Sequence, residues 1–347
     1  MSSSSENESL YRAEYDSISQ SLGRIESKIN DFYSLLTRID TYAVEIPASL
    51  ARIRSQGYIY FGNLEDEANT LIDSWLKIRH SYLHIIERLK TYSPQIESLR
   101  KRLSSLSSAK GTSSDFLRLR NVRAEVNALD ATVDSLISDV KSSTQNINSR
   151  FNRIKGRLHL IESTLNRLST ASFKLMDGEN IVSSFEVKLL GDKNKEKGIL
   201  FITDRRLIFE AIREIPLKKI LFITTKKEIV KNVEIDVPIG YVSQVNKGRV
   251  GFFARGGIFI EFRQGAPFEE LVFDLKDYLI PYVINDINYV LSGRADKERL
   301  IGPKEIIEKR IPQVIKCPVC GAPVKKEIVR GMASITCEYC GAVIQIT

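Results

Sequence analysis

The chain has 347 residues, 43% hydrophobic and 27% charged, with a net charge of +8. It is too long for one ordinary domain and too apolar for a disordered chain, and no run of 18 apolar residues marks a membrane span. The basic excess is spread evenly, at +3, +2 and +3 over residues 1–170, 171–295 and 296–347, whereas a nucleic-acid binder concentrates it on one face or domain.

The start, MSSSSENESL, has no apolar stretch behind a basic cluster, so no signal peptide is read and a cytoplasmic protein, at most peripheral at a membrane, is expected. Gly and Pro usage shifts near residue 170, from 5 and 2 before it to 14 and 8 after it. In the first part Tyr11, Tyr15, Ile18, Leu22, Ile25, Ile29, Phe32, Leu36 and Ile39 keep an unbroken 4,3 spacing, a heptad seam. Pro47 is read as interrupting it. The seam resumes at Leu50, tightens from Leu71 to Tyr92, and restarts after Ser93-Pro94. A loop is placed at SSAKGTSSD around Gly111, followed by a run from Leu119 to Leu168 that only Thr144 breaks. A helix of about 50 residues spans roughly 75 Å. The pattern predicts residues 1–170 as an antiparallel coiled-coil rod of three or four long helices with connections near residues 45 and 111; homo-oligomerisation as a dimeric coiled coil stays open.

Two features of this region carry chemistry. His80 and His84 have metal-ligand spacing, but no third ligand is identifiable and no Glu follows His80. Arg150, Arg153 and Arg157 share a helix face that could meet an anion, a membrane or RNA, against the plainer reading of a solvated flank of the seam.

From residue 171 the sequence breaks into short apolar runs with Gly- and Lys-rich loops. KGILFITDRRLIFEA predicts strands Gly198–Thr203 and Arg206–Ala211 around an Asp204-Arg205 turn, and GRVGFFARGGIFIEF predicts a pair joined at Gly256-Gly257. Further strands are read at Ser183–Leu190, Leu217–Thr224 and Val233–Val245. A helix is read from about Phe268, with Pro281 kinking it or starting a second one to Leu291.

The ordered segments DGENIV, KGILFITDRRLIF, VPIGYVSQV, GGIFIEF and PFEELV resemble a GRAM domain, a member of the PH-like superfold, over about residues 177–291. The resemblance implies a partly open barrel of seven strands capped by a C-terminal helix, occupying residues 171–291 and binding a membrane lipid or a protein without catalysis. It also implies an anion or lipid site at the first two strands, where Lys188, Lys193, Lys195 and Lys197 stand; a solvated hairpin loop is the competing reading.

Residues 292–315, charged and with Pro303 and Pro312, read as a linker with a short helix at Glu305–Lys309. The last segment has two CxxCG knuckles, Cys317/Cys320 and Cys337/Cys340, 16 residues apart. This is four-thiolate zinc spacing, and a closed set of four thiolates leaves no open position for catalysis, so residues 316–347 are predicted to be a ribbon around one structural Zn2+. A hairpin of Val324–Val329 with Ala333–Thr336, turning near Gly331, is expected to build it.

No Walker loop, nucleophile elbow or paired-carboxylate site is present. The expected class is a multidomain α + β chain acting as a non-enzymatic adaptor, the PH-like module docking on a membrane or protein and the ribbon docking on a protein. A nucleic-acid- or ribosome-associated factor is the alternative.

Overall fold

A computed structural model describes residues 2–345 except 192–194, 221–222, 252–254, 301–315, 318, 325–328 and 333. Two compact units emerge: Met1–Ser49 with Glu65–Gly156, and Leu50–Leu64 with Arg157–Thr347.

The first unit is built from four helices, α1 (Ser2–Ser55), α2 (Asn63–Lys90), α3 (Tyr92–Ser104) and α4 (Ser113–Leu168), with α1 and α4 each also supplying residues to the second unit. The seam positions are its core: Ile18, Leu22, Ile25, Leu71, Trp75, Val122, Val126 and Val133 are all buried. Cross-helix polar pairs set the directions. Glu26 pairs with Arg100 and Asp40 accepts from Trp75, so α2 and α3 run opposite to α1; Glu14 pairs with Arg123 and Lys28 with Asp130 and Asp134, so α4 runs parallel to it. The result is an up-down-up bundle folded within one chain. These exposed ion pairs contribute about 0–1 kcal/mol each, so the apolar seam is what holds it. Thr112 and Asp115 cap α4 reciprocally, the Asp115 amide donating to Thr112 Oγ1 at 3.3 Å and the Thr112 amide to Asp115 Oδ2 at 3.0 Å.

Pro47 does not interrupt α1. Ile46 before the proline and Leu50 and Ile53 after it, spaced 4,3, are all buried, so the seam passes the proline in register and one missing backbone bond is absorbed. The connection therefore falls after Ser55 and not near residue 45, with Gly57 at φ +83° supplying a left-handed backbone.

In the second unit seven antiparallel strands, β1 (Ile181–Leu190), β2 (Lys195–Thr203), β3 (Arg206–Ile220), β4 (Ile223–Pro238), β5 (Val242–Val250), β6 (Arg255–Phe262) and β7 (Glu270–Asp274), form one sheet in the order β4-β3-β2-β1-β7-β6-β5. Helix α5 (Ile280–Leu291) packs on it, and α6 (Arg294–Glu298) follows. The predicted Asp204-Arg205 turn is present. Three other expectations are corrected. Gly256 and Gly257 lie inside β6, opposite Arg249 and Gly248, because a Cβ at Gly257 would meet Val250 Cγ1 at 2.6 Å and one at Gly256 would meet the Asp277 carboxylate; these glycines serve close approach and not a turn. Leu217–Thr224 is the distal end of a β3–β4 hairpin in which Ile220 faces Ile223, not a single strand. The apolar run after Phe268 alternates as β7, with Leu271 and Phe273 buried, and the helix starts at Ile280 with Pro281 in its first turn. The predicted helix at Glu305–Lys309 lies outside the described residues.

Segment 56–62 and the end of α4 belong to this unit through specific bonds. Tyr58 Oη donates to Val182 O at 2.7 Å, Phe61 stacks on Tyr289 at 4.6 Å, and Thr164 Oγ1 accepts from the Ser184 amide at 2.8 Å. Leu165, Leu168 and Phe173 pack against Ile181, Ile199, Phe201 and Ile208.

The motifs DGENIV and ITDRRLIF meet in a buried polar lock. Arg206 Nη2 and Nε donate to the two Glu179 oxygens at 2.7 and 2.9 Å, Thr203 Oγ1 donates to the same carboxylate at 2.6 Å, and the Met176 amide does so at 2.8 Å. Burial pushes the Glu179 carboxyl up, but the Arg206, Met176 and Thr203 donors outweigh it and hold it below the usual range. Asp236, also bonded to Arg206, is raised by its burial, so Glu179 is the arginine's principal counter-ion. Because its native pKa is depressed, Glu179 stabilises the fold above the ordinary carboxylate range, and that contribution disappears as pH falls through the depressed value. Glu179→Gln is expected to cost about 3–5 kcal/mol at neutral pH by leaving a buried guanidinium short of its partner, with the difference from the parent shrinking on acidification. Denaturant melts across the acid range check this; a gap independent of pH would contradict it.

Candidate metal centre and anion cavity

Each knuckle is a tight turn closed by the same bonds. The Gly321 amide donates to Cys317 O at 2.8 Å and the Gly341 amide to Cys337 O at 2.9 Å; Cys317 and Cys337 amides each donate at 2.8 Å, to Ala322 O and Ala342 O. Gly321 and Gly341 both sit at φ +72°, a backbone that needs glycine. Strands β8 (Ser334–Thr336) and β9 (Val343–Gln345) pair antiparallel, and a bridge joins Lys316 to Pro323. β8 pairs with 343–345 and Gly331 sits at φ +90°; the expected partner segment is not tested, because residues 325–328 lie outside the described residues.

The four Sγ atoms lie within 4.8 Å of one another, with Cys317 3.6 Å from Cys340 and Cys320 3.7 Å from Cys337. A tetrahedral ion with metal–sulfur bonds of about 2.3 Å places its sulfurs roughly 3.75 Å apart, so the donor set fits one four-coordinate metal. The thiols are free, and no other group of three or more potential ligands occurs among the described residues. The Cys320 amide, followed by that of Val319, pulls the Cys317 thiol down to about 6. The Ala342 amide acts on Cys340 in the same direction, but its neighbouring thiols overcome it and push Cys340 to about 12. Four crowded sulfurs give up their first proton readily and keep the last, which a divalent cation would displace.

The ribbon is seated on the sheet rather than free. Arg330 Nε donates to Asp204 O at 2.5 Å and its Nη atoms reach the Asp296 carboxylate at 2.6 and 3.0 Å, while the Gly240 amide donates to Arg330 O at 3.0 Å. A Cβ at Gly331 would strike Arg205 O, and one at Gly240 would strike the Arg330 amide. Both glycines are fixed by this approach.

At the other end of β2 a cavity of about 1240 Å³ has a mixed lining: Lys188, Lys195, Lys197, Arg213, Arg255 and Lys276 with Glu186, Glu196, Glu214, Asp274 and Asp277. Lys188 stands directly opposite Lys197 in the β1–β2 register and opposite Asp274 across β7, whose carboxylate is 3.9 Å away. Like charges in directly opposed positions destabilise a sheet. Glu196 and Glu234 are taken by Arg213, and Lys195, Lys197 and Arg255 are exposed with no ion-pair partner among the described residues. Lys193 lies outside the described residues.

The arginines predicted to share a face are engaged differently. Arg153 pairs with Glu67. Arg157 turns inward, donating to both oxygens of the fully buried Asp286 at 2.8 and 2.9 Å beneath Phe61 and Tyr282. Arg150 is half-buried, and His80 and His84 are exposed. Arg255, which the fold places on the cavity wall, carried no sequence signal, and Arg330, readable only as a basic residue of the ribbon, takes its task from the ribbon's seating.

No family description and no curated protein matches this sequence. Among solved structures the chain is similar to the C-terminal domain of an unknown protein from Leishmania infantum (15% identity, 32% of this chain and 87% of that one, TM-score 0.22). It is also similar to the Vps36 N-terminal PH domain (16%, 34% and 86%, TM-score 0.23) and to the DH/PH domains of p115-RhoGEF (8%, 82% and 100%, TM-score 0.25). Superpositions this shallow carry no argument, and the chain's own topology stands in their place.

Elemental analysis of the purified chain is expected to find one metal per molecule, lost in a Cys320→Ser/Cys337→Ser variant. Chelation should unfold the ribbon, because so small a cluster of Ile335, Ile344 and the cysteines cannot hold it alone; unchanged ribbon NMR shifts after chelation would contradict this.

Proposed function

We propose that this chain is a non-enzymatic adaptor whose sheet unit is a GRAM-type, PH-like module docking on an anionic headgroup at a membrane surface, and whose C-terminal ribbon holds one structural Zn2+. The observation that carries it is the convergence of Lys188, Lys195 and Lys197 on one cavity, with Lys188 and Lys197 facing each other across the β1–β2 pair. An anion between them would relieve that repulsion. Seven antiparallel strands followed by helix α5, in the order that the sequence resemblance implies, support the same reading. Zinc is favoured for the ribbon because four thiolates at tetrahedral spacing suit a soft-tolerant ion with no geometric demand of its own.

With four thiolates around one ion there is no open coordination site, so the ribbon's part is structural, and its hairpin tip is occupied by the chain's own sheet. No helix among the described residues is long and apolar enough to cross a membrane, so docking would be peripheral. The nucleic-acid alternative loses its main support where Arg157 is committed to Asp286 and Arg153 to Glu67.

Titration of the full chain with soluble inositol polyphosphates tests the cavity. Each lysine near an anionic group is worth about 1 kcal/mol, so Lys188→Glu, Lys195→Glu and Lys197→Glu together should weaken binding on the order of a hundredfold, and the parent's affinity should fall with salt. A parent that binds none of them, or a variant that binds as well, would remove the proposal.

A further inference from the structure

The pairing register of the sheet sorts its side chains into two faces, because directly opposed residues point the same way and neighbours along a strand point opposite ways. Lys188 stands opposite Lys197, Ile199 opposite Glu210, and Glu210, Ile212 and Glu214 opposite Val233, Lys231 and Ile229. Lys195, two residues before Lys197, falls in with them. All of these side chains therefore belong to one face, the face on which Leu165 and Leu168 of α4 pack against Ile199, Phe201 and Ile208.

The end of α4 and the segment after it cover only part of that face. Lys231 is turned onto this segment, donating to Thr170 O at 2.6 Å, and Ile212 is half-buried against the same cluster. On the outer strand, β4, Ile229 stays 65% exposed and Val233 38%. One step past the last β2–β3 pair at this end, Gly198↔Ala211, Lys197 and Ile212 lie side by side, and both line the cavity. The aliphatic strip Ile212, Ile229 and Val233 is thus continuous with Lys188, Lys195 and Lys197. Acids on the face are engaged: Glu186 with Arg167, Asp274 with Lys188, Glu210 buried beside Lys231, and Glu214 likewise has a partner.

Two exposed aliphatic side chains are too small a patch for a protein interface, which buries about 800 Å² on each side. A membrane asks less, because shallow apolar insertion and the attraction of lysines to anionic lipid add together. β4 is an edge strand whose outer backbone groups need water, so only its side chains leave the headgroup layer.

We infer that Ile229 and Val233 enter the acyl boundary of an anionic bilayer beside the lipid whose headgroup the cavity holds. The inference rests on the headgroup reading of that cavity and adds a second, apolar contact that a soluble headgroup cannot make.

The test uses the full chain with inositol trisphosphate in solution and with phosphatidylcholine vesicles, with and without phosphatidylinositol bisphosphate. Ile229→Ser/Val233→Ser should bind the soluble ligand as the parent does, which also shows that it folds, and should bind the bisphosphate vesicles about tenfold or more weakly. Ile229→Trp, read over the single, buried Trp75, should shift its emission to the blue on those vesicles and be quenched by lipid brominated in the acyl chains. This readout decides alone if the serine variant loses the soluble ligand as well. Equal vesicle binding by a serine variant that keeps the soluble ligand, or a Trp signal that brominated lipid leaves untouched, would overturn this inference while the cavity reading stands. A parent that binds neither form would remove both. Self-association of the parent that the serine variant abolishes would also overturn it, by assigning the strip to a second copy of the chain.

Discussion

The second unit is organised by one buried charge pair. Arg206 and Glu179 join the entry to β1 with the β2–β3 turn, and that turn then serves as a support for everything around it. Asp204 exchanges backbone and side-chain bonds with Asn180, the Ile239 amide donates to Arg205 O at 2.8 Å, and Arg330 of the ribbon donates to Asp204 O. Thr203 adds a hydroxyl that donates to Glu179 and accepts from the Arg206 amide at 2.7 Å. A buried arginine left without Glu179 would be costly, and the turn's shape would go with it. So the ribbon, the short helix Ile239–Tyr241 and the first strand all depend on a single ionised carboxyl.

This arrangement gives the sheet two unlike ends. At the turn, charges are paired, backbone groups are satisfied and the ribbon covers the surface. At the opposite end of β2, Lys188 and Lys197 oppose one another and the cavity opens. The buried ion pair and the exposed lysines are thus separated along β2, a strand of nine residues. The proposed headgroup cavity lies at this second end, where Lys195, Lys197 and Arg255 are exposed. The four-cysteine cluster, which could hold one metal ion, lies on the other side.

Much of this was legible in the sequence because it follows from strict spacing. Heptad positions such as Ile18, Leu22, Ile25, Leu71, Trp75, Val122, Val126 and Val133 are the bundle core, and two CxxCG knuckles 16 residues apart predicted four sulfurs that come together within 4.8 Å. What failed did so for definable reasons. Pro47 was read locally, although Ile46, Leu50 and Ile53 keep the 4,3 spacing across it. Gly256-Gly257 looked like a turn because glycine's two uses, positive φ and close approach, are indistinguishable without the neighbours Asp277, Val250 and Phe273. β7 read as a helix because five residues with alternate burial also satisfy part of a helical pattern. Arg157 read as surface charge because its partner Asp286 is 129 residues away. The ribbon's seating on the β2–β3 turn had no sequence signal at all; Gly331 and Gly240 record it only once the two backbones are seen together.

The dependence of the ribbon's seat on the proposed metal is measured most directly by hydrogen exchange on the full chain before and after chelation. Removing the metal should raise exchange through residues 316–345 and at the Gly240 amide, whose bond to Arg330 O would be lost, while β1, β2 and the end of α4 keep their protection. Increased exchange confined to the ribbon with Gly240 still protected, or loss of protection across the whole sheet, would contradict the account of a separately folded ribbon resting on a turn that Glu179 and Arg206 hold in place.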